Sequence, residues 1–318
     1  MKIIDIRTKP LLMRLNQPYV WAQGVRQSAP IILIEIEADD GTIGYGEAIA
    51  VPNAEAVEIE LHHASRNFIG ASPFDVSALC SRAYQAMFKA FGANIPRHGA
   101  LIFAGLEMAL WDLMGKATAQ PVHDLLGGAV REHVSYFAFL QGETPESLAR
   151  DAARWVATGT PVIYLKVGRG EKLDLAIVEA VREAIGEARL RLDPNESWDV
   201  STAIKMIRKL ERFEPECIEQ PTPSESIAAL AQVKASVDVP IAADQCIYTL
   251  NDVYEVCRHN AADMIVLGLH EVGGIIALRK AAAVAEAAGL NICIHGVFET
   301  GITTCASYHA AVTLPNRR

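Results

Sequence analysis

Three short apolar segments in the middle of the chain constrain its fold most, because each of them ends in a carboxylate. These segments are residues 190–193, 217–219 and 240–244. The residues between them, 200–213 and 226–236, have the pattern of helices. Parallel strands that alternate with helices at about 25 residues per unit predict a (β/α) barrel, whose active site forms at the C-terminal ends of the strands. The three carboxylates would therefore converge.

The three carboxylates belong to Asp193, Glu219 and Asp244. Carboxylates a few ångströms apart repel one another unless they share a proton or a cation, and an all-oxygen set of ligands suits Mg²⁺ best. We therefore predict that these residues form a magnesium site. The alternative for any one of them is that it caps the helix that follows. Three acids at the same position after an apolar segment favour the metal site.

Several segments of the chain carry a resemblance to a known family. They are DPNESW (193–198), IEQP (218–221), ADQ (243–245), YLKVG (164–168), GGI (273–275) and residues 41–47. In order and spacing, over nearly the whole chain, they resemble the enolase superfamily in its mandelate racemase and muconate lactonizing branch. The resemblance implies an α/β fold, a modified TIM barrel of the (β/α)7β type, with an N-terminal α+β capping domain.

The resemblance also implies a Mg²⁺-dependent enzyme that abstracts the α-proton of a carboxylate substrate, because the cation neutralises charge on the oxygens of the resulting enediolate. Lys166 aligns with the second lysine of the family's Lys-x-Lys motif, which is the usual base, whereas Tyr164 replaces the first lysine. Alternation along the apolar strand points Lys166 inward. Burial and a neighbouring cation should depress the pKa of Lys166 and make it a base near neutral pH. The alternative is a surface lysine at a strand end.

The opposite side of the substrate has no lysine or aspartate on the sixth barrel strand, predicted at 264–267, where Gly268 occupies the position that the family uses. After the seventh barrel strand, predicted at 291–294, His295 falls where the mandelate-type branch has its histidine, and Glu299 falls where the muconate-type branch keeps its glutamate. Without an aspartate partner, His295 would lack the hydrogen bond that fixes its tautomer, so we interpret it as a general acid. A structural histidine is the alternative, and His270 is a weaker candidate of the same kind.

The first fifty residues predict an antiparallel sheet, with strands at 1–14, 29–38 and 43–47 and a hairpin turn at Asp39-Asp40-Gly41. Residues 16–28 would form a mobile lid loop. If the resemblance holds, aromatic side chains on this loop close over the substrate and exclude water; the alternative is an ordinary connection that packs on its own domain. The expected substrate contacts are Tyr19, Trp21, Tyr164, Asn195 and Phe298.

Residues 54–127 have a helical pattern, clearest at 99–116, where Glu107 is interpreted as structural. We place a capping domain at residues 1–125 and the barrel at 126–318. Further barrel strands are predicted at 134–140, 162–167, 264–267 and 291–294. A helix is predicted to begin at Thr144-Pro145-Glu146, which has a good cap and a first-turn proline. We expect the eighth strand and the C-terminal tail of the family to be absent.

Composition restricts the partners and the compartment. A net charge of −9 without a basic segment argues against nucleic acid. Six cysteines without metal-binding spacing predict reduced thiols, and the sequence has neither a signal-peptide pattern nor an apolar segment of membrane-spanning length. We expect a cytoplasmic homo-oligomer that acts on a small carboxylate and binds no membrane.

Lys166 as base and His295 as acid would suit elimination of water from a hydroxy-carboxylic acid. We favour such a dehydratase, a lyase. A racemase or epimerase, with the same pair acting on opposite faces, and a muconate-type cycloisomerase, which needs chiefly one lysine, remain open. A metal-dependent hydrolase would require histidine ligands, and the all-carboxylate set argues against it. A non-catalytic barrel is suggested by Tyr164 and Gly268, which replace expected catalytic residues.

Overall fold

The structure, a computed structural model, describes residues 1–91, 98–296 and 298–315. Its N-terminal part is a three-stranded antiparallel sheet in the order β1-β2-β3, covered by helices. The bounds are β1 Ile3–Trp21, β2 Gly24–Ala38, β3 Ile43–Ile49, α1 Ala54–Ser65, α2 Val76–Phe91, α3 Ala100–Thr118 and α4 Val122–Leu125. This arrangement is the predicted α+β capping domain.

The rest of the chain alternates strands with helices. Seven parallel strands form one curled sheet in the order β10-β9-β8-β7-β6-β5-β4. The bounds are β4 Ala138–Phe139, α5 Pro145–Ala157, β5 Val162–Lys166, α6 Glu171–Ile185, β6 Arg189–Asp193, α7 Val200–Leu210, β7 Cys217–Glu219, α8 Ile227–Lys234, β8 Ile241–Ala243, α9 Leu250–Arg258, β9 Met264–Gly268, α10 Leu269–Val272, α11 Ile275–Ala287, β10 Asn291–His295 and α12 Gly301–Ala311. The predicted α/β barrel architecture is confirmed.

Local sequence explains where several of these elements begin. The Thr144 side chain accepts a hydrogen bond from the backbone of Ser147, and Pro145 opens α5, as predicted. A second capping box, between Thr249 and Asp252, starts α9. Such caps satisfy backbone N–H groups that the first helical turn leaves free. The turn between β2 and β3 has Gly41 at a φ of 82°, a conformation that favours glycine.

The predicted lid loop at residues 16–28 is instead the end of a long β-hairpin. β1 continues to Trp21 and β2 begins at Gly24. Aromatic and β-branched side chains stabilise cross-strand pairs, and this outweighs the loop character of the polar residues around them. In this part of the ladder the register is irregular between Arg14 and Tyr19, where Pro18 has no backbone N–H to donate. The prediction of an irregular loop is therefore wrong.

The first barrel strand is shorter than the predicted 134–140. Only β4 has strand geometry, and it pairs with β5 through Ala138 opposite Ile163. In the described part of the chain β4 and β10 are the two ends of the sheet, and no eighth parallel strand lies between them. Residues 134–137, which precede β4, therefore have no described strand beside them on the side away from β5. Within the same described ranges, no helix is long and apolar enough to cross a membrane.

Two buried glutamates of the capping domain contact the barrel. Glu47 accepts hydrogen bonds from the backbone N–H groups of Thr300, at 2.8 Å, and Thr303, at 3.3 Å, and from the Thr300 hydroxyl. Glu107 accepts from Trp111 Nε1 at 2.9 Å and from the backbone N–H of Ile276 at 2.8 Å. These contacts are consistent with the structural role predicted for Glu107, and they fix the capping domain over the C-terminal ends of the strands.

Candidate active site

The C-terminal ends of five barrel strands bring together most of the predicted site residues. Lys166 ends β5, Asp193 ends β6, Glu219 ends β7 and His295 ends β10, whereas Asp244 directly follows β8. The three carboxylates are 0–2% exposed and Lys166 is 8% exposed. Parallel strands in register place these ends side by side, with Lys166 directly opposite Asp193.

Lys166, Tyr164 and two of the carboxylates form one hydrogen-bonded group. The Lys166 ammonium donates to Asp193 Oδ2 and to the Tyr164 hydroxyl at 3.2 Å. That hydroxyl lies 2.5 Å from Asp193 Oδ2 and 2.7 Å from Glu219 Oε1. A hydroxyl carries one proton, so it can fully serve only one of the two carboxylates at a time. The group is therefore short of donors.

The charges around Lys166 hold the pKa of its ammonium group above the ordinary value. Burial lowers it, but the charges of Asp193, Tyr19 and Glu219 and the hydrogen bond to Asp193 outweigh burial. This is opposite to the predicted depression, which assumed a cation beside the ammonium. The carboxylates on β6 and β7 decide the direction, because opposite charge favours the protonated lysine.

His295 has a carboxylate partner that sequence reasoning missed. Its Nε2 lies 2.7 Å from Glu271 Oε2 and 3.2 Å from Asp244 Oδ1. Burial lowers the pKa of His295, but the charges of Asp244 and Glu271 outweigh it and raise that pKa well above its usual range. The expectation that His295 lacks an orienting partner is therefore wrong. These two carboxylates favour the charged form of the imidazole, which suits the predicted acid.

The surroundings of Gly268, the last residue of β9, leave no space for a lysine or aspartate there. A Cβ built on Gly268 would overlap the Glu271 carboxylate and lie 3.1 Å from His295 Nε2. The space of the missing side chain is thus filled by the pair Glu271 and His295. The position of Glu271, three residues after the end of β9, is the one feature of the sequence that could have indicated it.

The buried carboxylates fit a divalent cation. Asp244 Oδ1 accepts no hydrogen bond from the described residues, and its nearest charged partner is His295 Nε2, an ion-pair contact at 3.2 Å. Burial raises the pKa of Glu219 and of Asp244, and neighbouring carboxylates raise both further. An oxygen cluster with this excess of negative charge suits Mg²⁺. Ligand atoms of Glu219, Asp244 and His295 lie within 4.8 Å of one another.

The predicted metal ligand Asp193 is adjacent to this cluster but does not belong to it. Its Oδ2 faces Lys166 and Tyr164, and its Oδ1 accepts the backbone N–H of Asn195 at 2.6 Å. The observed cluster thus contains His295 in the place of Asp193. Asp193 could complete an oxygen set with the other two carboxylates only if its contact with the ammonium loosened.

A cavity of about 940 Å³ lies above these groups, between the hairpin and the barrel. Tyr19 stacks on Phe139, with centroids 4.9 Å apart and planes 7° apart, and meets Phe298 edge-on at 4.6 Å and Trp21 at 5.1 Å. All the predicted substrate contacts line this cavity. The hairpin therefore places aromatic rings directly over the site, where they can exclude water.

Two other predicted residues lie outside the cavity. Glu299 lines an adjoining cavity of about 170 Å³, which also reaches His295 and Gly296. His270 is buried and its Nε2 lies 3.0 Å from the Thr303 hydroxyl. Burial lowers the pKa of His270 to about 4, so it is neutral near pH 7. His270 therefore has the environment of a structural residue.

Comparison with known proteins agrees with this geometry. The model of the mandelate racemase / muconate lactonizing enzyme N-terminal domain matches residues 3–127, and the enolase C-terminal domain-like model matches residues 147–318. The chain belongs to the enolase superfamily, in its mandelate racemase and muconate lactonizing branch. This result confirms the resemblance that the sequence motifs carry.

Relatives within the superfamily catalyse several reactions. N-succinyl-L-Arg/Lys racemase of Bacillus cereus is 29% identical over 98% of this chain and 84% of its own length. Muconate cycloisomerase 1 of Rhodococcus opacus is 31% identical over 99% and 85%. Arabinonate dehydratase of Saccharolobus solfataricus is 28% identical over 89% and 77%. The relatives are enzymes, and this chain is an enzyme of the superfamily.

A solved structure extends the similarity to the fold. The dipeptide epimerase of Enterococcus faecalis, complexed with Mg and L-Leu-L-Tyr, has a TM-score of 0.90 and is 28% identical. The match covers 100% of this chain and 89% of that one. Homologues thus act on small carboxylates, and Mg²⁺ is typical of the family.

Proposed function

We propose that the enzyme removes the α-proton of a hydroxy-carboxylic acid and eliminates water, as a dehydratase does. The observation that carries this proposal is the placement of two proton-transfer groups on the two sides of the carboxylates. Lys166 is on β5 and His295 is on β10, whereas the carboxylates are on the strands between them. A bound acid would therefore have a different group on each side.

Asp193, Glu219 and Asp244 would hold the Mg²⁺ ion. A bound Mg²⁺ ion would offset the charge of these carboxylates, lower the pKa of Lys166 and stabilise negative charge on the substrate's carboxylate oxygens. The chain's own contribution is the fixed arrangement of the ligands at strand ends. Rigid strands keep such groups in place better than loops do.

Lys166, in its neutral form, would take the proton from the α-carbon. The electron pair of that C–H bond then forms the double bond to the β-carbon, and the β-hydroxyl leaves with the proton that His295 donates. Glu271 holds the imidazole by its hydrogen bond, and its negative charge keeps the proton on the ring until the hydroxyl departs. Aromatic rings of the hairpin would exclude bulk water during this step.

A racemase or epimerase is the second candidate, because relatives with these activities match 98% and 99% of the chain. In that reaction Lys166 and His295 would exchange a proton with opposite faces of one carbon. The dehydratase is favoured because two carboxylates lie within 2.7 and 3.2 Å of His295 Nε2 and favour its protonated form, which suits a donor to a leaving hydroxide. Gly268 also leaves no room for a second lysine on β9.

The test is proton NMR in D₂O with Mg²⁺ and a panel of sugar acids and dipeptides. We expect loss of water from one of the acids. Lys166→Met should slow α-proton exchange by at least roughly 1,000-fold, whereas His295→Asn should keep exchange and slow water loss by roughly 100-fold. Lys172→Met, on the exposed face of α6, is the control. Inversion without water loss would favour the epimerase, and no exchange with any acid would reject both.

The compartment and the assembly stay predictions. The reducing cytoplasm is predicted from the cysteine pattern of the sequence. We keep the homo-oligomer as a prediction for the purified protein, where sedimentation analysis would test it.

A further inference from the structure

The substrate cavity contains a cation that the proposed reaction does not use. Its positively charged side chains besides Lys166 and His295 are Arg26 and Arg154. Arg154 is 64% exposed and pairs with Asp151 at 2.6 Å. For Arg26, by contrast, no carboxylate lies within ion-pair distance among residues 1–91, 98–296 and 298–315. A half-buried guanidinium without a carboxylate partner is available to pair with an anionic group of a ligand.

Aromatic rings hold this guanidinium in place. Arg26 lies on β2 opposite Tyr19 of β1, and its Cζ is 4.9 Å from the ring centroid of Phe298 and 5.7 Å from that of Trp21. A guanidinium stacked on aromatic faces keeps its N–H groups directed outward in its own plane. Such a fork matches the two oxygens of a carboxylate.

The same cavity contains three amide oxygens without donors. Gln141 Oε1, Asn195 Oδ1 and Gln245 Oε1 are buried and have no hydrogen-bond partner among the described residues. The orientation of Gln245 is fixed, because its Nε2 donates to Asp244. Buried acceptors of this kind are normally paired, so a ligand with several hydroxyl groups would satisfy them.

We propose that the substrate is a polyhydroxylated dicarboxylic acid, whose second carboxylate binds Arg26 and whose hydroxyls donate to the amide oxygens. The reacting carboxylate lies at the carboxylate and Lys166 end of the cavity. Phe298 contacts both Tyr19 and Arg26, so the second carboxylate would bind on the Phe298 side of the cavity. This proposal rests on the proposed function, because it assumes that an acid reacts beside Lys166.

The test compares sugar acids that differ only at the far end. D-glucarate, galactarate and D-mannarate carry a second carboxylate, whereas D-gluconate, D-galactonate and D-mannonate carry a hydroxymethyl group there. Calorimetry in Mg²⁺ measures binding, and NMR measures turnover. We expect at least one diacid to bind and react roughly 30- to 100-fold better than its monoacid.

Variants assign that preference to Arg26. Arg26→Gln should lower the diacid to monoacid ratio roughly 30- to 100-fold, and Arg26→Lys should lower it less, because an ammonium keeps the charge but loses the fork. Arg150→Gln, on the exposed face of α5 and outside the cavity, is the matched control and should leave the ratio unchanged. Thermal unfolding of each variant checks that it folds. If Arg26→Gln does not fold, Arg26→Lys still tests the proposal.

Binding and turnover separate the two proposals. If no diacid binds more tightly than its monoacid in calorimetry, the assignment of Arg26 is overturned, whatever the turnover. The same holds if the preference survives in Arg26→Gln. If a diacid binds through Arg26 but no acid exchanges its α-proton, the proposed reaction fails and the binding assignment stands.

Discussion

Two groups of buried carboxylates differ in how their oxygens are satisfied. Among the residues that the structure describes, Glu47 receives three hydrogen bonds at the domain junction and Glu107 receives two. At the barrel mouth, Asp193 and Glu219 share one tyrosine hydroxyl, and one oxygen of Asp244 accepts no hydrogen bond from the described part of the chain. Buried carboxylates with enough donors stabilise the fold, whereas those without leave a place for a cation.

Removing one carboxylate at the mouth should give the largest effect. Glu219→Gln is expected to weaken Mg²⁺ binding at least roughly 100-fold in calorimetry. Without Mg²⁺ the same variant should be more stable than the wild type, with a free energy of unfolding about 1–2 kcal/mol higher, because repulsion between carboxylates falls. Glu211→Gln is the control from the adjacent segment. Unchanged Mg²⁺ binding in Glu219→Gln would contradict the assignment of the metal site.

The junction should respond in the opposite direction. Glu47→Gln replaces a charged acceptor with an amide that presents N–H groups to other donors, and we expect a loss of about 3 kcal/mol in the free energy of unfolding. Urea denaturation measures it. Glu37→Gln, in the same sheet with a partly exposed carboxylate, should change stability by less than about 0.5 kcal/mol. Equal losses in the two variants would remove the distinction between junction and mouth.

Glu107 gives a smaller effect that depends on pH. Burial raises the pKa of Glu107 to about 7, against the opposing hydrogen bonds of Trp111 and Ile276. Because its ordinary value is 4.5, the folded protein holds a proton that the unfolded chain has lost, so stability falls as pH rises towards 7. From about pH 5.5 to about pH 8, the free energy of unfolding of Glu107→Gln should rise by about 2 kcal/mol relative to that of the wild type.

Denaturation at several pH values would check this difference. Glu187→Gln, on the exposed surface, should follow the wild type at each pH. A gap between Glu107→Gln and the wild type that does not widen with pH would mean that the Glu107 carboxylate is ionised throughout this range. The junction would then tolerate a buried charge as well as the mouth does.

Much of the site could be predicted because it depends on strand ends. Asp193, Glu219 and Lys166 each close a strand, and Asp244 follows one directly; apolar segments of this length mark such ends in any parallel sheet. The hairpin at residues 16–28 was mistaken for a loop, since cross-strand pairs between Tyr19 and Arg26 depend on a register that no local pattern shows.

The sequence by itself determined the order of strands and helices, the acids and the lysine at the strand ends, and the family. Only the tertiary structure decided which charges meet. Glu271 contacts His295 because a helix after β9 turns back into space that Gly268 leaves open, and Arg26 stacks on Phe298 across two domains. Periodicity reports which face of an element is buried, whereas contacts between distant elements depend on distances that only folding sets.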